Sequence, residues 1–300
     1  MKKISLIIVL IMLILFLCGC MNINKNKTDL NQKVNTEISY MDNELISIAN
    51  SINNINYSNY KINVQEVQNK SSESSSNSNK EKSSSGEESQ QGEEEEKSND
   101  QSEEKIEQFS LNPNTIIGNK TEINWKELKR KIELFYSSWM TISKDLKQSG
   151  VDDSTINGFG KELDSLAIAI KNEDKNKTLE SVIALYKYLP EFIKLNKNDD
   201  NNNKNNKNVE ILETKYNLLI CYKNVNLDEW EQLPKSITDL RMSFSNIYNK
   251  RTEFKGQEIN IDSILMLINE INNIPELKEK EIFYIKYKNM LQELNIISAI

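Results

Sequence analysis

From Trp125 to Leu294 the apolar residues of this 300-residue chain return every three or four positions, a spacing that builds amphipathic helices and cannot line one face of a strand. Trp125, Leu128, Ile132, Phe135, Trp139, Ile142 and Leu146 form the first such stripe, and Gly150 stops it. Ile156, Phe159, Leu163, Leu166 and Ile170 form a second, behind Asp153 or Ser154 as N-cap. Leu179, Val182, Ile183, Tyr186 and Leu189 form a third, with Pro190 expected to kink the helix before Phe192 and Ile193. Further stripes follow at Val209, Leu212, Tyr216 and Leu219, at Trp230 to Ile247, at Ile264 to Ile271 and at Phe283 to Leu294. With eight glycines and four prolines the chain has few places to turn sharply, so the expected fold is an all-α multi-helix bundle.

An internal echo runs through it. Trp125-x-x-Leu128-x-x-x-Ile132 lies over Trp230-x-x-Leu233-x-x-x-Ile237, and each leads to two more helices, which suggests two three-helix units joined by a helix at 209–223. Ahead of them, Leu30, Val34, Ile38, Met41, Leu45, Ile48, Ile52 and Ile55 mark a long helix with a narrow seam. It is expected to pack along the helix that starts at Trp125, with pairing to another molecule as the competing outcome. Tyr60, Ile62 and Val64 alternate with polar residues as an extended arm would.

Between these parts, residues 70–105 contain eleven acids and five lysines, with no aromatic or β-branched residue. Such a stretch buries too little surface to offset ordering entropy, so residues 68–108 are expected to be a disordered linker that acts as a tether. The division read from sequence is therefore a leader at 1–19, a membrane-proximal helix and arm at 20–67, the linker at 68–108, and a helical domain at 109–300 interrupted by an Asn-rich loop at 196–208.

The leader carries Lys2 and Lys3, an apolar run from Ile4 to Leu17, and then Leu17-Cys18-Gly19-Cys20. About fourteen apolar residues are too few for a spanning helix, which needs roughly 17 to 25. This segment resembles the signal peptide and lipobox of bacterial lipoproteins, and the Asn and Lys excess resembles clostridial-type composition. The resemblance implies cleavage after Gly19, acylation of Cys20 with palmitate-type chains, and residence on the extracytoplasmic face of the cell membrane. An uncleaved signal anchor is the alternative. The resemblance covers the leader alone and implies nothing about the helices.

Composition excludes several functions. The formal charge of −7 falls to −9 once Lys2 and Lys3 leave with the leader, an unsuitable balance for binding nucleic acid. The chain has no histidine, so Ser-His-Asp and Cys-His catalysis and His-containing zinc sites are ruled out. Of three cysteines only Cys221 would remain as a free thiol after processing, and it reads as a small apolar residue on a helix. Gly-rich phosphate loops and dinucleotide fingerprints are missing from the sequence.

Two sets of residues remain as candidates. Trp125, Trp139, Tyr186 and Tyr216 are large, amphipathic and suited to face a ligand between helices. Asp199, Asn201, Asn203 and Glu210 fall at positions 1, 3, 5 and 12 of a calcium loop, although Lys204 stands where that loop needs Gly. Neither set makes an active site. The expectation is a non-catalytic envelope lipoprotein without cofactor, joined to the membrane by its lipid and to a protein or cell-wall partner by its helices. A small-ligand or cation-binding module is the alternative.

Overall fold

The computed structural model describes residues 29–55, 116–118, 122–196 and 202–298, and its first helix, α1 (residues 29–51), runs through the middle of them. Val34, Ile38, Met41, Leu45, Ile48 and Ala49 of α1 are fully buried. Each such aliphatic side chain contributes roughly 1.5–3 kcal/mol on leaving water, so α1 is part of the core and no independent arm. All described residues fall in one compact unit, which joins the chain up to Tyr57 to the chain from Asn114 onward. The leader, the arm at Tyr60 to Val64 and the acidic linker lie outside the described residues.

Nine further helices complete the described fold: α2 (Trp125–Ser149), α3 (Asp153–Lys171), α4 (Lys175–Tyr186), α5 (Tyr188–Leu195), α6 (Asn202–Asn226), α7 (Leu233–Asn249), α8 (Glu258–Glu270), α9 (Ile274–Leu277) and α10 (Lys280–Ile297). The described residues contain no strand, and the fold is an all-α multi-helix bundle. Local chemistry sets the ends. Asn124, Asp152 and Asp174 each accept a bond from the backbone N–H three residues on, which caps α2, α3 and α4. Gly150, at φ 102°, ends α2 by donating its N–H to the last carbonyls.

Two constant registers organise the helices around α1. Lys33 pairs with Asp145 at 2.7 Å, Tyr40 accepts from Ser138 at 3.2 Å, and Ser47 accepts from Lys131 at 2.8 Å. In each pair the residue numbers sum to 178 and successive pairs are seven apart, so α1 and α2 form an antiparallel pair in heptad register. Along α6 the relation is a difference. Asp42 meets Lys215 at 2.6 Å, Ala49 O accepts from Tyr222 at 3.0 Å, and Asn53 Nδ2 donates to Asn226 at 3.1 Å, every pair separated by 173 positions. Helices α1 and α6 therefore run parallel and in step. The expected pairing of α1 with α2 is present, with α6 as a second partner that the seam did not announce.

The Trp125/Trp230 echo extends without a gap. At an offset of 105 positions (125 to 230), Leu128/Leu233, Ile132/Ile237, Phe135/Leu240, Ile142/Ile247, Phe159/Ile264, Leu163/Ile268, Leu166/Ile271, Val182/Tyr287, Tyr186/Leu291 and Leu189/Leu294 are buried in both copies. Glu173 and Lys278, also 105 apart, both adopt the left-handed conformation, at φ 56° and 54°. The repeat is larger than the three-helix unit expected, because α1 and α6 begin 173 positions apart and open each copy. The two offsets differ by 68 residues (173 less 105). The first copy holds that excess between α1 and α2, where the acidic segment lies, whereas α6 and α7 are joined directly. The fold is thus a duplicated unit whose equivalent positions face one another across the α1–α6 seam, the pattern of a twofold axis along that seam.

Four local differences from the sequence reading follow from packing. Helix α6 starts at Asn202 rather than near Val209, despite the poor helix propensity of Asn. Near Pro190 the chain divides at Lys187 into α4 and α5, which leaves Pro190 in the first turn of α5 where its missing N–H costs nothing. Trp230 lies in the turn before α7, with Pro234 in that helix's first turn. And α1 pairs with α2 inside the same compact unit, so it is part of the bundle rather than a separate element.

Candidate functional site

Trp139 is packed into an aromatic cluster, its ring 4.3 Å from Phe159 and 6.3 Å from Phe192. Trp125 is partly buried against the core. Tyr186 is fully buried and donates its hydroxyl to Asp42 Oδ1 at 2.5 Å. Tyr216 is half-buried, its hydroxyl pushed above the usual range by burial and by Glu191. None of the four lines either cleft described below. The calcium-loop set is not brought together as a loop: Asn203 and Glu210 lie on one helix, α6, and Glu210 binds Lys250 at 2.5 Å. Position 5 of such a loop belongs to the turn ahead of the second helix, whereas Asn203 lies within α6. Asp199 and Asn201 lie outside the described residues. Among the described residues no three Cys, Asp or Glu side chains are grouped as metal ligands.

One cleft, of about 390 Å³, opens where α1 ends and α4 and α10 begin. Its lining includes Asn53, Ile116, Lys175, Lys280, Glu281 and Tyr284, with Glu122 beside them. Lys175 and Lys280 are equivalent residues of the two copies, 105 positions apart, and each opens a helix. They also bind equivalent partners. Lys175 Nζ donates to Asn53 Oδ1 at 2.8 Å, and Lys280 Nζ donates to the Asn226 carbonyl at 3.0 Å. The two asparagines are bonded to each other, and Asn53 also donates to the Tyr222 hydroxyl at 2.5 Å. The axis between the copies therefore emerges in this cleft.

The two lysines differ in their compensation. Lys280 forms an ion pair with Asp228 at 2.7 Å. Among the described residues Lys175 has no carboxylate within ion-pair distance, and burial followed by the nearby Lys280 charge holds its ammonium below the usual lysine range, against a smaller opposing effect of Asp228. Glu281 accepts from the Gly118 N–H at 3.1 Å, and among the described residues neither Glu281 nor Glu122 forms an ion pair. Asn226 is only 7% exposed, and among the described residues its Nδ2 has no hydrogen-bond partner. Left-handed Asn54, Glu173, Asp228 and Lys278 surround this end of the bundle, each a helix-ending turn that a non-glycine residue adopts at a cost of about 1 kcal/mol.

A second groove, of about 290 Å³, lies between α1 and the end of α10, lined by Asn43, Ser47, Asn50 and Asn295. The repeat accounts for it. In the other copy the positions of Asn43, Ser47 and Asn50 are held by Tyr216, Ile220 and Lys223, so larger side chains fill there what smaller ones leave open. Lys175, Lys280, Asn53 and Asn226 were not singled out by sequence reasoning. The available signal was the echo, which carries Lys175 onto Lys280 at the same offset as the tryptophans.

No family model matches the chain, and neither does any curated protein or solved structure. The class that the fold itself defines is a duplicated helical bundle with an axial cleft. Among the described residues no helix is long and apolar enough to cross a membrane.

Proposed function

We propose that the chain is an acyl-anchored lipoprotein of the cell envelope whose duplicated bundle is a non-catalytic interaction module. Support for the anchor is the Leu17-Cys18-Gly19-Cys20 leader. Two or more acyl chains on Cys20 hold a protein stably on a bilayer, whereas one does not. Support for the module is the filled core, in which each aromatic residue that might have faced a ligand is packed or hydrogen-bonded.

The observation that carries the reading is the antiparallel pairing of α1 with α2. Helix α1 begins nine residues after Cys20, so at most about 30 Å of extended chain separates the lipid from the bundle. Its other end lies roughly 35 Å further along at 1.5 Å per residue. Under this reading the anchor is short and the bundle presents its axial cleft to a protein or cell-wall partner.

Metabolic labelling with an alkyne fatty acid tests it. The expected result is a labelled, membrane-bound chain that loses both properties in Cys20→Ser, and an epitope placed near residue 90 that protease removes from intact cells. An unlabelled chain recovered from cytosol, or an epitope shielded until lysis, overturns it. The small-ligand reading is favoured by one specific observation, the cleft at Lys175 and Lys280.

A further inference from the structure

We infer that the axial cleft binds a small zwitterion, a free amino acid or short peptide whose carboxylate meets Lys175 and whose ammonium meets Glu122 or Glu281. The inference is independent of the lipid anchor. It starts from charges that line one cavity without neutralising one another. Lys175, Glu122 and Glu281 all face the cleft, yet none forms an ion pair among the described residues. Removing a charge from water costs several kcal/mol unless a partner offsets it, and Lys175 is half-buried with, among the described residues, only the Asn53 amide oxygen as acceptor.

A ligand of one sign fits poorly. A simple anion satisfies Lys175 but meets Glu122 and Glu281, with Asp228 close by on Lys280. A simple cation satisfies the carboxylates but meets two ammonium groups. A molecule carrying both signs a few ångströms apart offsets both sets. Asn53, which lines the cleft beside Lys175, places a polar side chain at the lysine side, where a carboxylate would lie. Ile52, Ile116, Ile123 and the Tyr284 ring give the cleft its apolar wall. At about 390 Å³ it falls in the range of small-molecule sites, at the lower end, which suits an amino acid or dipeptide.

Calorimetric titration of the purified full chain in detergent, with alanine, glutamine, lysine and Ala-Ala as probes, tests this. At least one probe should bind with a dissociation constant below about 1 mM, and the matching compounds lacking one charge, such as propionate for alanine or its methyl ester, should bind at least about tenfold more weakly. Lys175→Met should weaken binding by about tenfold or more, while Lys235→Met, a change at an exposed lysine, should leave it unaltered. A readout in the unmutated protein guards against a variant that fails to fold: under limiting amine acylation, the ligand should protect Lys175 and not Lys235. The proposal is overturned by the absence of heat with every probe up to about 10 mM, by equal binding of propionate, or by protection that does not single out Lys175.

Discussion

Glu37 and Glu210 occupy one position of the two copies and meet opposite partners: Glu210 binds Lys250 at 2.5 Å, whereas the equivalent of Lys250 opposite Glu37 is Asp145. The offsets of 173 and 105 carry one pair onto the other. Burial first, then a hydrogen bond with Asp145 and its charge, raise the Glu37 carboxyl to about 7, with Lys33 opposing.

A pH dependence follows. A carboxyl whose folded pKa exceeds its unfolded value binds its proton more tightly when folded, so stability is gained as pH falls from about 7 toward 4.5 and lost as pH rises through that window. Thermal melts should show a lower Tm for the wild type at pH 8 than at pH 5. Glu37→Gln should raise the Tm at pH 8 and shrink that difference. An unchanged pH profile in the variant sinks the assignment.

The buried rung of Asp42, Lys215 and Tyr186 yields a second test. Lys215 is 1% exposed, and among the described residues its ammonium pairs with Asp42 alone. Asp42→Ala should cost about 3–5 kcal/mol in urea unfolding, since it strands a buried ammonium. Replacing both residues by Leu should cost far less. Exchanging them, Asp42→Lys with Lys215→Asp, should fold with a penalty of about 1–3 kcal/mol, because the equivalent of Tyr186 beside position 215 is Leu291 and donates nothing. A double Leu variant as unstable as Asp42→Ala contradicts this account.

The aromatic cluster of the first copy is open to a packing test. Phe159 touches the rings of Phe135, Trp139, Tyr188 and Phe192 at 4.3 to 6.3 Å. Phe159→Ala should destabilise by about 3–5 kcal/mol through the cavity it leaves. Since Trp139 lies 4.3 Å away, its fluorescence should shift to the red. A loss under about 1 kcal/mol would show that the ring is not packed as described.

Excision of the acidic segment should leave the bundle intact. The second copy makes the equivalent connection directly, so replacing residues 57–114 by a four-residue Gly-Ser turn should keep the helical circular dichroism. Shortening the closed loop several-fold should stabilise by about 1–2 kcal/mol. Unfolding of the shortened chain would mean that the segment contributes to the core.

Cys221 offers a simple control on burial. It is fully buried, and burial pushes its thiol up to about 12, with a bond to Ser236 opposing. It should resist alkylation in buffer and react fully in guanidinium.

The spacing of Trp125 to Leu146 and of Phe283 to Leu294 was sufficient to read helices, because each stripe is continuous and its neighbours are polar. The Trp and Leu echo was sufficient to read half of the duplication. Its other half was hidden by the acidic segment, which changes the offset, and by the small number of residues that α1 and α6 share: Asn35/Asn208, Glu37/Glu210, Ile38/Ile211, Leu45/Leu218 and Asn53/Asn226. The site was hidden for a different reason. Lys175 and Lys280 look like ordinary exposed helix starts until the two copies are superposed, since nothing in a single helix reveals which charges share a cavity.

The Asp42–Lys215 contact lies where each half meets its own counterpart, so two identical halves associating as separate molecules would set acid against acid or amine against amine in a dry interior. Covalent fusion is what let the two sides acquire opposite signs. The halves have ceased to be interchangeable, and neither gene segment could be recovered as a self-associating protein without first undoing that divergence.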